Sequence, residues 1–288
     1  MAIVLVRTIA ELRQQVQAQR AAGKRIGFVP TMGYLHEGHA ALIRQAAQEC
    51  EYVVTSDFVN PTQFAPNEDF ERYPRDLQRD LQVAEQAGSH VLFAPSVEEI
   101  YPEGFATTVS IRGITEKFEG AFRPTHFDGV ATVVSKLFNI VQPDRAYFGQ
   151  KDYQQLLVIR QLVRDLNFPI EVVMVPTVRE PDGLALSSRN VYLSAEERQK
   201  ALSLYRALQA GQSMILQGER RRSVIEARMQ EVLSAVPGLH VDYAAAALAE
   251  TLEQPEAFSP GAHVVLLVAA RLPSARLIDN LLVRVPNP

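Results

Sequence analysis

Short apolar runs alternate with segments of helix-forming residues through the first 178 positions, and this alternation constrains the fold more than any other feature of the chain. We predict strands over 26–29, 52–59, 91–94, 146–148 and 171–175. We predict helices over 8–20, 40–50, 75–86, 130–141 and 153–166. Strands that are separated by helices pair in parallel, with helices covering both faces of the sheet. The pattern therefore predicts an α/β fold with a Rossmann-like, doubly wound, mostly parallel sheet.

The pattern changes after residue 178, where Pro181-Asp182-Gly183 is a turn signal and Ser194 begins a capping box with Glu197. We predict helices over 195–217 and 222–236, and strands over 239–245 and 263–270. The chain is thus expected to form a catalytic domain, residues 1–178, and a smaller α+β domain, residues 179–288, which closes over the active site.

The composition excludes several classes of protein. Hydrophobic residues make up 47% and charged residues 22% of the 288, which is typical of a globular enzyme. The formal net charge of -4 provides no broad basic surface for a phosphate backbone, so we expect no nucleic acid partner. The apolar run 2–6 is too short for a signal peptide or a membrane span, and the single cysteine, Cys50, can form no intrachain disulfide. We expect a cytoplasmic protein with no membrane partner.

Two histidines, His36 and His39, lie between a predicted strand and a predicted helix. Ligands of doubly wound sheets bind at the carboxyl ends of the strands, where a helix N-terminus attracts phosphate. Two imidazoles in this place can donate to the oxygens of a triphosphate. For an isolated pair, solvated or helix-capping histidines are an equally good interpretation. The spacing does not match H-E-x-x-H, and one cysteine completes no tetrahedral site, so we set zinc aside.

Two further loops could contact a nucleotide, although the chain lacks both a Walker A loop and a G-x-G-x-x-G fingerprint. Gly149 allows close backbone approach after a strand, and Lys151 adds a positive charge beside it. The segment 186–190 combines two hydroxyls with the guanidinium of Arg189. Taken alone, the first loop is better interpreted as a plain turn with Asp152 as the helix N-cap, and the second is a plain polar loop.

Five segments occur in one order along the chain and together resemble the pantothenate synthetase family, within the nucleotidylyltransferase superfamily of the HxGH motif. They are GFVPTMGYLHEGH at 27–39, FVNPTQF at 58–64, RPTHFDGV at 123–130, FGQKDYQQ at 148–155 and SSRN at 187–190, and RLIDN at 276–280 is similar too. The histidine motif alone would be weak, because nucleotidylyltransferases and class I aminoacyl-tRNA synthetases share it. The ordered set covers nearly the whole chain and is specific.

The resemblance implies an AMP-forming ligase that condenses pantoate with β-alanine through a pantoyl-adenylate, with ATP as substrate and Mg²⁺. It implies a homodimer. The residues that it assigns to catalysis are His36, His39, Lys151 and Arg189. The residues that it assigns to ATP are Met32, Gly33, His36, Gly38, His39, Gly149, Lys151, Asp152, Val178, Leu186, Ser187, Ser188 and Arg189. His39 is the family's proton donor, whereas we expect stabilisation of phosphate charge to be its larger effect.

The resemblance assigns Gln63 and Gln155 to the pantoate hydroxyls and carboxylate. Asn60, Tyr73 and Arg123 lie in segments that line the same pantoate and β-alanine cleft, although Tyr73 could equally pack in the core and Arg123 could form a structural ion pair.

The chain departs from the family pattern at three places. Asp57 stands where the family usually has an apolar residue, and Leu186 replaces a common methionine. The segment around Asp80 carries fewer carboxylates than is usual, so no protein ligand of Mg²⁺ is assigned. Three rival functions stay open: a nucleotidylyltransferase, a class I aminoacyl-tRNA synthetase and a non-catalytic nucleotide sensor. The aminoacyl-tRNA synthetase is disfavoured because it would need a basic tRNA-binding extension.

Overall fold

The computed structural model describes residues 2–66 and 68–287, and these fold as two compact units. The first unit runs to Gln150 and resumes over Gln154–Val178. The second unit combines Lys151–Tyr153 with the chain from Arg179 onward. Within the described residues, no helix is both long enough and apolar enough to span a membrane.

A sheet of six strands forms the centre of the first unit, counted over the described residues. The strands are β1 Val4–Val6, β2 Ile26–Thr31, β3 Tyr52–Asp57, β4 Val91–Phe93, β5 Arg145–Gly149 and β6 Glu171–Val175. Their order is β1-β4-β3-β2-β5-β6, and every neighbouring pair is parallel. The predicted parallel α/β sheet is confirmed. The short edge strand β1 was not predicted, because three residues are too few to show a period.

Helices cover the sheet of the first unit. They are α1 Ile9–Ala21, α2 Glu37–Glu49, α3 Leu77–Ala87, α4 Val97–Ile100, α5 Glu119–Phe122, α6 His126–Val141 and α7 Tyr153–Asp165. Thr8 and Glu11 close the capping box of α1, and Asp76 caps α3. Helix α6 begins four residues before its predicted start and is buried on most of its surface, because it packs on α1, on β2 and on the turn at Pro61–Gln63.

The strand order places the topological switch point of the sheet between β2 and β5. The chain winds from β2 through β3 to β4 on one side and then returns to β5 on the other. Crossover connections leave opposite faces of the sheet at this point, so a crevice forms at the carboxyl ends of the two strands. The segment that follows β2 contains both histidines, and the fold therefore brings them to the edge where ligands of such sheets bind.

The second unit packs two helices on a three-stranded antiparallel sheet, within the described residues. Its elements are α8 Ala195–Leu216, α9 Arg222–Ser234, β7 His240–Leu248, β8 His263–Arg271 and β9 Arg276–Arg284. The predicted α+β character is confirmed, whereas β9 was not predicted. Arg179 donates to both oxygens of the buried Asp279 of β9, at 2.6 and 2.9 Å, and lies over the ring of Tyr205. This ion pair accounts for a buried carboxylate inside β9.

Candidate active site

Residues 31–39, which follow β2, form a loop that we call the histidine loop. The side-chain hydroxyl of Thr31 fixes the start of this loop. The Thr31 Oγ1 donates to the Ser56 carbonyl of β3 at 2.6 Å and accepts from the Gly33 N–H at 3.1 Å. Gly33 has a φ of 78° and Tyr34 a φ of 51°, so the chain turns sharply through two left-handed residues. The turn directs residues 36–39 to the start of α2.

The two imidazoles bind the backbone of the loop through the same ring nitrogen. The Nδ1 of His36 accepts from the Gly38 N–H at 3.0 Å, and the Nδ1 of His39 accepts from the His36 N–H at 3.2 Å. The ring centroids lie 4.1 Å apart. A neutral imidazole whose Nδ1 accepts carries its proton on Nε2, so both rings present an Nε2–H donor. The helix-capping interpretation and the ligand interpretation are therefore compatible, because capping uses Nδ1 and so places the proton of each ring on Nε2, where it can be donated to a ligand.

The carboxylate of Asp80, on α3, binds the middle of the histidine loop. It accepts from the Tyr34 N–H at 2.7 Å and from the Leu35 N–H at 2.6 Å. The Asp57 carboxyl, at the end of β3, hydrogen-bonds to Asp80 and lies against Gly33, since a Cβ there would be 2.2 Å from its Oδ1. Burial, and then the charge of Asp80, raises the pKa of Asp57 to about 7. Burial also raises the pKa of Asp80, against the opposing effect of the two N–H donors.

The predicted pantoate residue Gln63 lies in a turn at residues 60–63, the Asn60 turn. The Asn60 side chain, 1% exposed, donates to the Gln63 Oε1 at 3.0 Å and to the Gly129 carbonyl of α6 at 3.1 Å. Its Oδ1 accepts from the Tyr101 hydroxyl at 2.8 Å. The Gln63 Nε2 donates to the Met32 Sδ at 3.2 Å. The amide of Gln63 is thereby oriented, and the Asn60 turn contacts the histidine loop.

Arg123 and Tyr73 have structural contacts in the same unit. Arg123 donates from Nε and Nη2 to the two oxygens of Glu68, at 2.6 and 2.7 Å, which favours the ion-pair interpretation. Tyr73 is buried, and its ring lies edge-on to Phe64. His126 contacts the Gln63 carbonyl through Nδ1 at 3.0 Å, and burial followed by the charge of Arg123 lowers the pKa of His126 to about 4. These contacts stabilise the segment that follows Gln63.

The other predicted residues of the first unit end β5 and begin α7. Gly149 is the last residue of β5, and Gln155 is a half-buried residue in the first turn of α7. Its neighbour Gln154 is buried and binds the backbone of the segment before α5, at the carbonyls of Ile114 and Lys117. Val178 is half-buried at the end of the unit.

The remaining predicted residues lie in the second unit. The Asn280 amide donates to the Lys151 carbonyl at 2.8 Å, and the Lys151 Nζ is 3.6 Å from Asp152. Ser187 caps a 3₁₀ turn, Ser188–Tyr192, by accepting from the Arg189 N–H at 3.2 Å. Leu186 and Arg189 are half-buried, and Ser188 is buried. The hydroxyl of Ser187 thus orders the backbone of the loop that carries Arg189.

The described residues contain no group of three or more His, Cys, Asp or Glu side chains that could bind a metal ion. The carboxyls that pack against the histidine loop from other elements, Asp57 and Asp80, are occupied with each other and with backbone N–H groups. These residues do not fit a protein-built magnesium site.

Comparison with known proteins finds similarity over nearly the whole chain. The model of one family, described as Pantoate-beta-alanine ligase, matches residues 4–282. The chain belongs to the pantoate–β-alanine ligase family. A pantothenate synthetase of Moorella thermoacetica is 57% identical over 281 residues, 98% of this chain and 99% of that protein. Recognition from the ordered motifs is therefore confirmed, and the chain is an enzyme of this family.

Solved structures of the ligase family share the fold. The crystal structure of pantothenate synthetase from Thermus thermophilus is 56% identical, with a TM-score of 0.90 over 97% of this chain and 99% of that one. The pantoate–β-alanine ligase of Francisella tularensis, complexed with beta-gamma ATP and β-alanine, is 34% identical. Its TM-score is 0.80, and the match covers 98% of each chain. Both parts of the present fold are thus those of the ligase family.

Three residues that contact or adjoin the predicted site segments were not predicted from the motifs to be important. Asp80 binds the histidine loop from 45 positions away, and Gln154 orders a segment 40 positions before it. Gly129 accepts from Asn60 and leaves no room for a side chain, because a Cβ would lie 2.5 Å from the Thr62 carbonyl oxygen. Gly129 had no clear sequence signal, because it lies just before the predicted helix over 130–141, whereas α6 begins at His126 and includes it.

Proposed function

We propose that the protein catalyses the ATP-dependent condensation of pantoate with β-alanine, with release of AMP and pyrophosphate. The observation that carries the proposal is the hydrogen bonding of the two imidazoles through Nδ1, from which their tautomer follows. His36 and His39 both accept a backbone N–H at Nδ1 and so donate from Nε2, at the N-terminus of α2. Two such donors suit phosphate oxygens better than a metal ion, which would require an unprotonated nitrogen.

In the first step, the pantoate carboxylate attacks the α-phosphorus of ATP in line. A bond forms between the carboxylate oxygen and phosphorus, the bond to the β-phosphate oxygen breaks, and pyrophosphate leaves with its electron pair. Negative charge grows on the phosphate oxygens during this transfer. We assign its stabilisation to the Nε2–H groups of His36 and His39 and to the cations Lys151 and Arg189. Pyrophosphate needs no strong acid to leave, so charge stabilisation is the larger effect of His39.

In the second step, the neutral amine of β-alanine attacks the carbonyl of the mixed anhydride. The carbon–nitrogen bond forms, the bond to the adenylate oxygen breaks, AMP leaves, and the ammonium proton is lost to solvent. The amide of Gln63 can donate and accept at the same time, which suits a hydroxy acid. Asn60 orients that amide. We assign pantoate to Gln63 and Gln155, with Asn60, Tyr73 and Arg123 as supporting residues.

The nucleotide is assigned to three segments of the chain. The histidine loop contributes Met32, Gly33, His36, Gly38 and His39. The segment after β5 contributes Gly149, Lys151 and Asp152, and the start of the second unit contributes Leu186, Ser187, Ser188 and Arg189, with Val178 preceding it. The complex of the Francisella relative with beta-gamma ATP and β-alanine supports a site for both ligands.

The proposal includes four features that go beyond the site residues. Mg²⁺ enters with the phosphates of ATP, and no protein ligand is assigned to it. The smaller domain, residues 179–288, closes over ATP. The protein works as a homodimer, which size-exclusion chromatography with light scattering would measure. Its location is the cytoplasm, where ATP is available and the thiol of Cys50 stays reduced.

Product analysis tests the proposed reaction. We expect pantothenate, AMP and pyrophosphate in equal amounts when ATP, pantoate and β-alanine are all present with Mg²⁺, measured by mass spectrometry. Pyrophosphate without an amide product would indicate an adenylyltransferase or another acceptor amine. ATP binding without any release of pyrophosphate would indicate a nucleotide sensor.

Replacement of Asn60 by alanine should raise the KM for pantoate about tenfold, with a smaller effect on the KM for ATP. The change removes the donor that orients Gln63, and one such hydrogen bond contributes about 1 kcal/mol or slightly more. Steady-state kinetics with each substrate varied in turn measures the effect. Asn139→Ala is the matched control, since Asn139 donates to a carbonyl of its own helix and should leave both constants unchanged. Equal increases in both constants would contradict a specific effect on pantoate.

A further inference from the structure

Two carboxyl groups with no role in the chemistry lie directly behind the histidine loop. Asp57 is the last residue of β3 and pairs in register with Thr31, where the loop begins. Asp80 is fully buried on α3 and accepts the N–H groups of Tyr34 and Leu35, one on each oxygen. The side chains of the two acids contact each other, and we take Asp57 as the donor and Asp80 as the acceptor, because the contact raises the pKa of Asp57 and acts to lower that of Asp80. Between them they contact three consecutive residues of the loop.

A carboxylate can accept more than two hydrogen bonds, so Asp80 can bind both loop N–H groups and the Asp57 hydroxyl together. That arrangement requires one proton between the two acids. With both acids ionised, the donor from Asp57 is lost and two negative charges face each other beside Gly33. A Cβ at Gly33 would lie 2.2 Å from the Asp57 Oδ1, so Asp57 has little space in which to move away on that side.

The charged groups with the largest effects on the pair come from α3 and the residues just before it. The positive charge of Arg75 acts to lower the pKa of Asp57, and the negative charge of Asp76 acts to raise the pKa of Asp80. Arg79 lies over the ring of Tyr34, 4.7 Å from its centroid. None of these groups is a hydrogen-bond partner of either carboxyl among the described contacts. The pair is therefore neutralised by its shared proton rather than by a salt bridge.

We propose that Asp57 and Asp80 form a proton-sharing positioning pair, which keeps the backbone of residues 33–35 in the conformation that orients His36 and His39. The proposal rests on the proposed ligase function for its effect on turnover, but not for its effect on the loop itself. When the shared proton leaves, the loop loses its rigid support, and the histidine donors lose their alignment. Asp57 and Asp80 act through the loop and touch no substrate.

The pH dependence follows from the pKa of Asp57, which is raised from 3.8 to about 7 in the folded protein. Between these values the folded chain binds a proton that the unfolded chain has released, so the pair's contribution to stability decreases as pH rises through this window. It is complete below about pH 4 and is lost above about pH 7. The two acids titrate as a coupled unit, so the pair as a whole is expected to lose its proton near pH 7.

The test compares wild type with Asp57→Asn, whose amide can donate to Asp80 at every pH. We expect the ratio of wild-type to variant kcat to fall by pH 8 to roughly a tenth of its value at pH 6, the fraction that still has the shared proton. In this ratio, the pH dependence that comes from β-alanine and from titratable groups common to both proteins cancels. In parallel, amide exchange of Tyr34 and Leu35, measured by NMR, should lose protection in wild type but not in the variant.

Glu103→Gln is the matched control for loss of one carboxyl, because Glu103 is exposed. The ratio of wild-type to Glu103→Gln kcat should not change with pH. The proposal would be overturned if the ratio of wild-type to Asp57→Asn kcat did not change with pH and the amide protection of Tyr34 and Leu35 stayed unchanged. Failure of wild type to form pantothenate would sink the ligase function alone, since amide exchange still tests the pair. If Asp57→Asn does not fold, ¹³C NMR of the wild-type side-chain carboxyls tests the proposal instead. One carboxyl resonance must then titrate near pH 7, and the absence of such a resonance would refute the shared proton.

Discussion

Replacement of His39 by alanine is expected to lower the turnover number at least about a hundredfold while the protein stays folded. The imidazole contributes one Nε2–H donor to the proposed phosphate site, in a tautomer that the His36 N–H determines. Loss of such a donor removes stabilisation that grows as charge develops in the transition state. Single-turnover formation of pyrophosphate from ATP and pantoate measures the adenylation step directly.

Stability measurements separate this loss from unfolding. The His36 N–H loses its partner in the alanine variant, so the free energy of unfolding should fall by about 1 kcal/mol. His263→Ala is the control, because that histidine begins β8 and its side chain is exposed. Its turnover should equal that of wild type. An unchanged turnover in His39→Ala would remove His39 from the chemistry.

Replacement of Gly129 by alanine should destabilise the protein by about 1–3 kcal/mol and raise the KM for pantoate. The new Cβ would meet the Thr62 carbonyl oxygen at 2.5 Å and the Gln63 Cα at 2.7 Å. Both neighbours are backbone atoms, so relief requires α6 and the Asn60 turn to separate. The hydrogen bond from Asn60 to the Gly129 carbonyl would be lost in that movement. Chemical denaturation and steady-state kinetics measure the two effects.

Gly211→Ala is the matched comparison for this variant. Gly211 also lies in a helix interior, in α8, and a Cβ there would meet the Met229 Sδ at 2.7 Å. The neighbours in this case are the side chains of Met229 and Leu266 rather than backbone, and Met229 can change rotamer. Alanine also favours the helix by about 1 kcal/mol over glycine. We expect a small net change in stability and no change in the KM for pantoate. A larger loss at Gly211 than at Gly129 would contradict the role of the Asn60 turn.

The parts of the fold that could be predicted from the sequence are those with a repeating local signal. The strands and helices of the parallel sheet alternate regularly, so their type and pairing direction follow from the pattern. Strand β9 did not show this signal, because Asp279 and Asn280 interrupt its apolar residues. Those polar residues are tolerated through Arg179, which is 100 positions away in sequence. A partner at that distance has no local signal.

The same limit applies to the candidate site. His36 and His39 lie three positions apart, so their proximity at the start of α2 could be predicted from spacing alone. The departure at Asp57 was visible in the sequence, but its explanation was not. That explanation requires Asp80, which is brought to Asp57 by the packing of α3 beside the histidine loop. Motifs identify the groups that contact substrate, whereas the groups that orient them come from tertiary structure.

The pairing of β1 with β4 affects how the chain folds during its synthesis. Val4 pairs with Val91, so β1 has no partner until the residues of β4 have been made. At ribosomal rates this delay is roughly 4–17 s. Strands β2 and β3 are close in sequence and pair with each other, so the sheet can nucleate at its centre and add β1 late. Strand β1 therefore stays without its sheet partner, and open to a chaperone, throughout this interval.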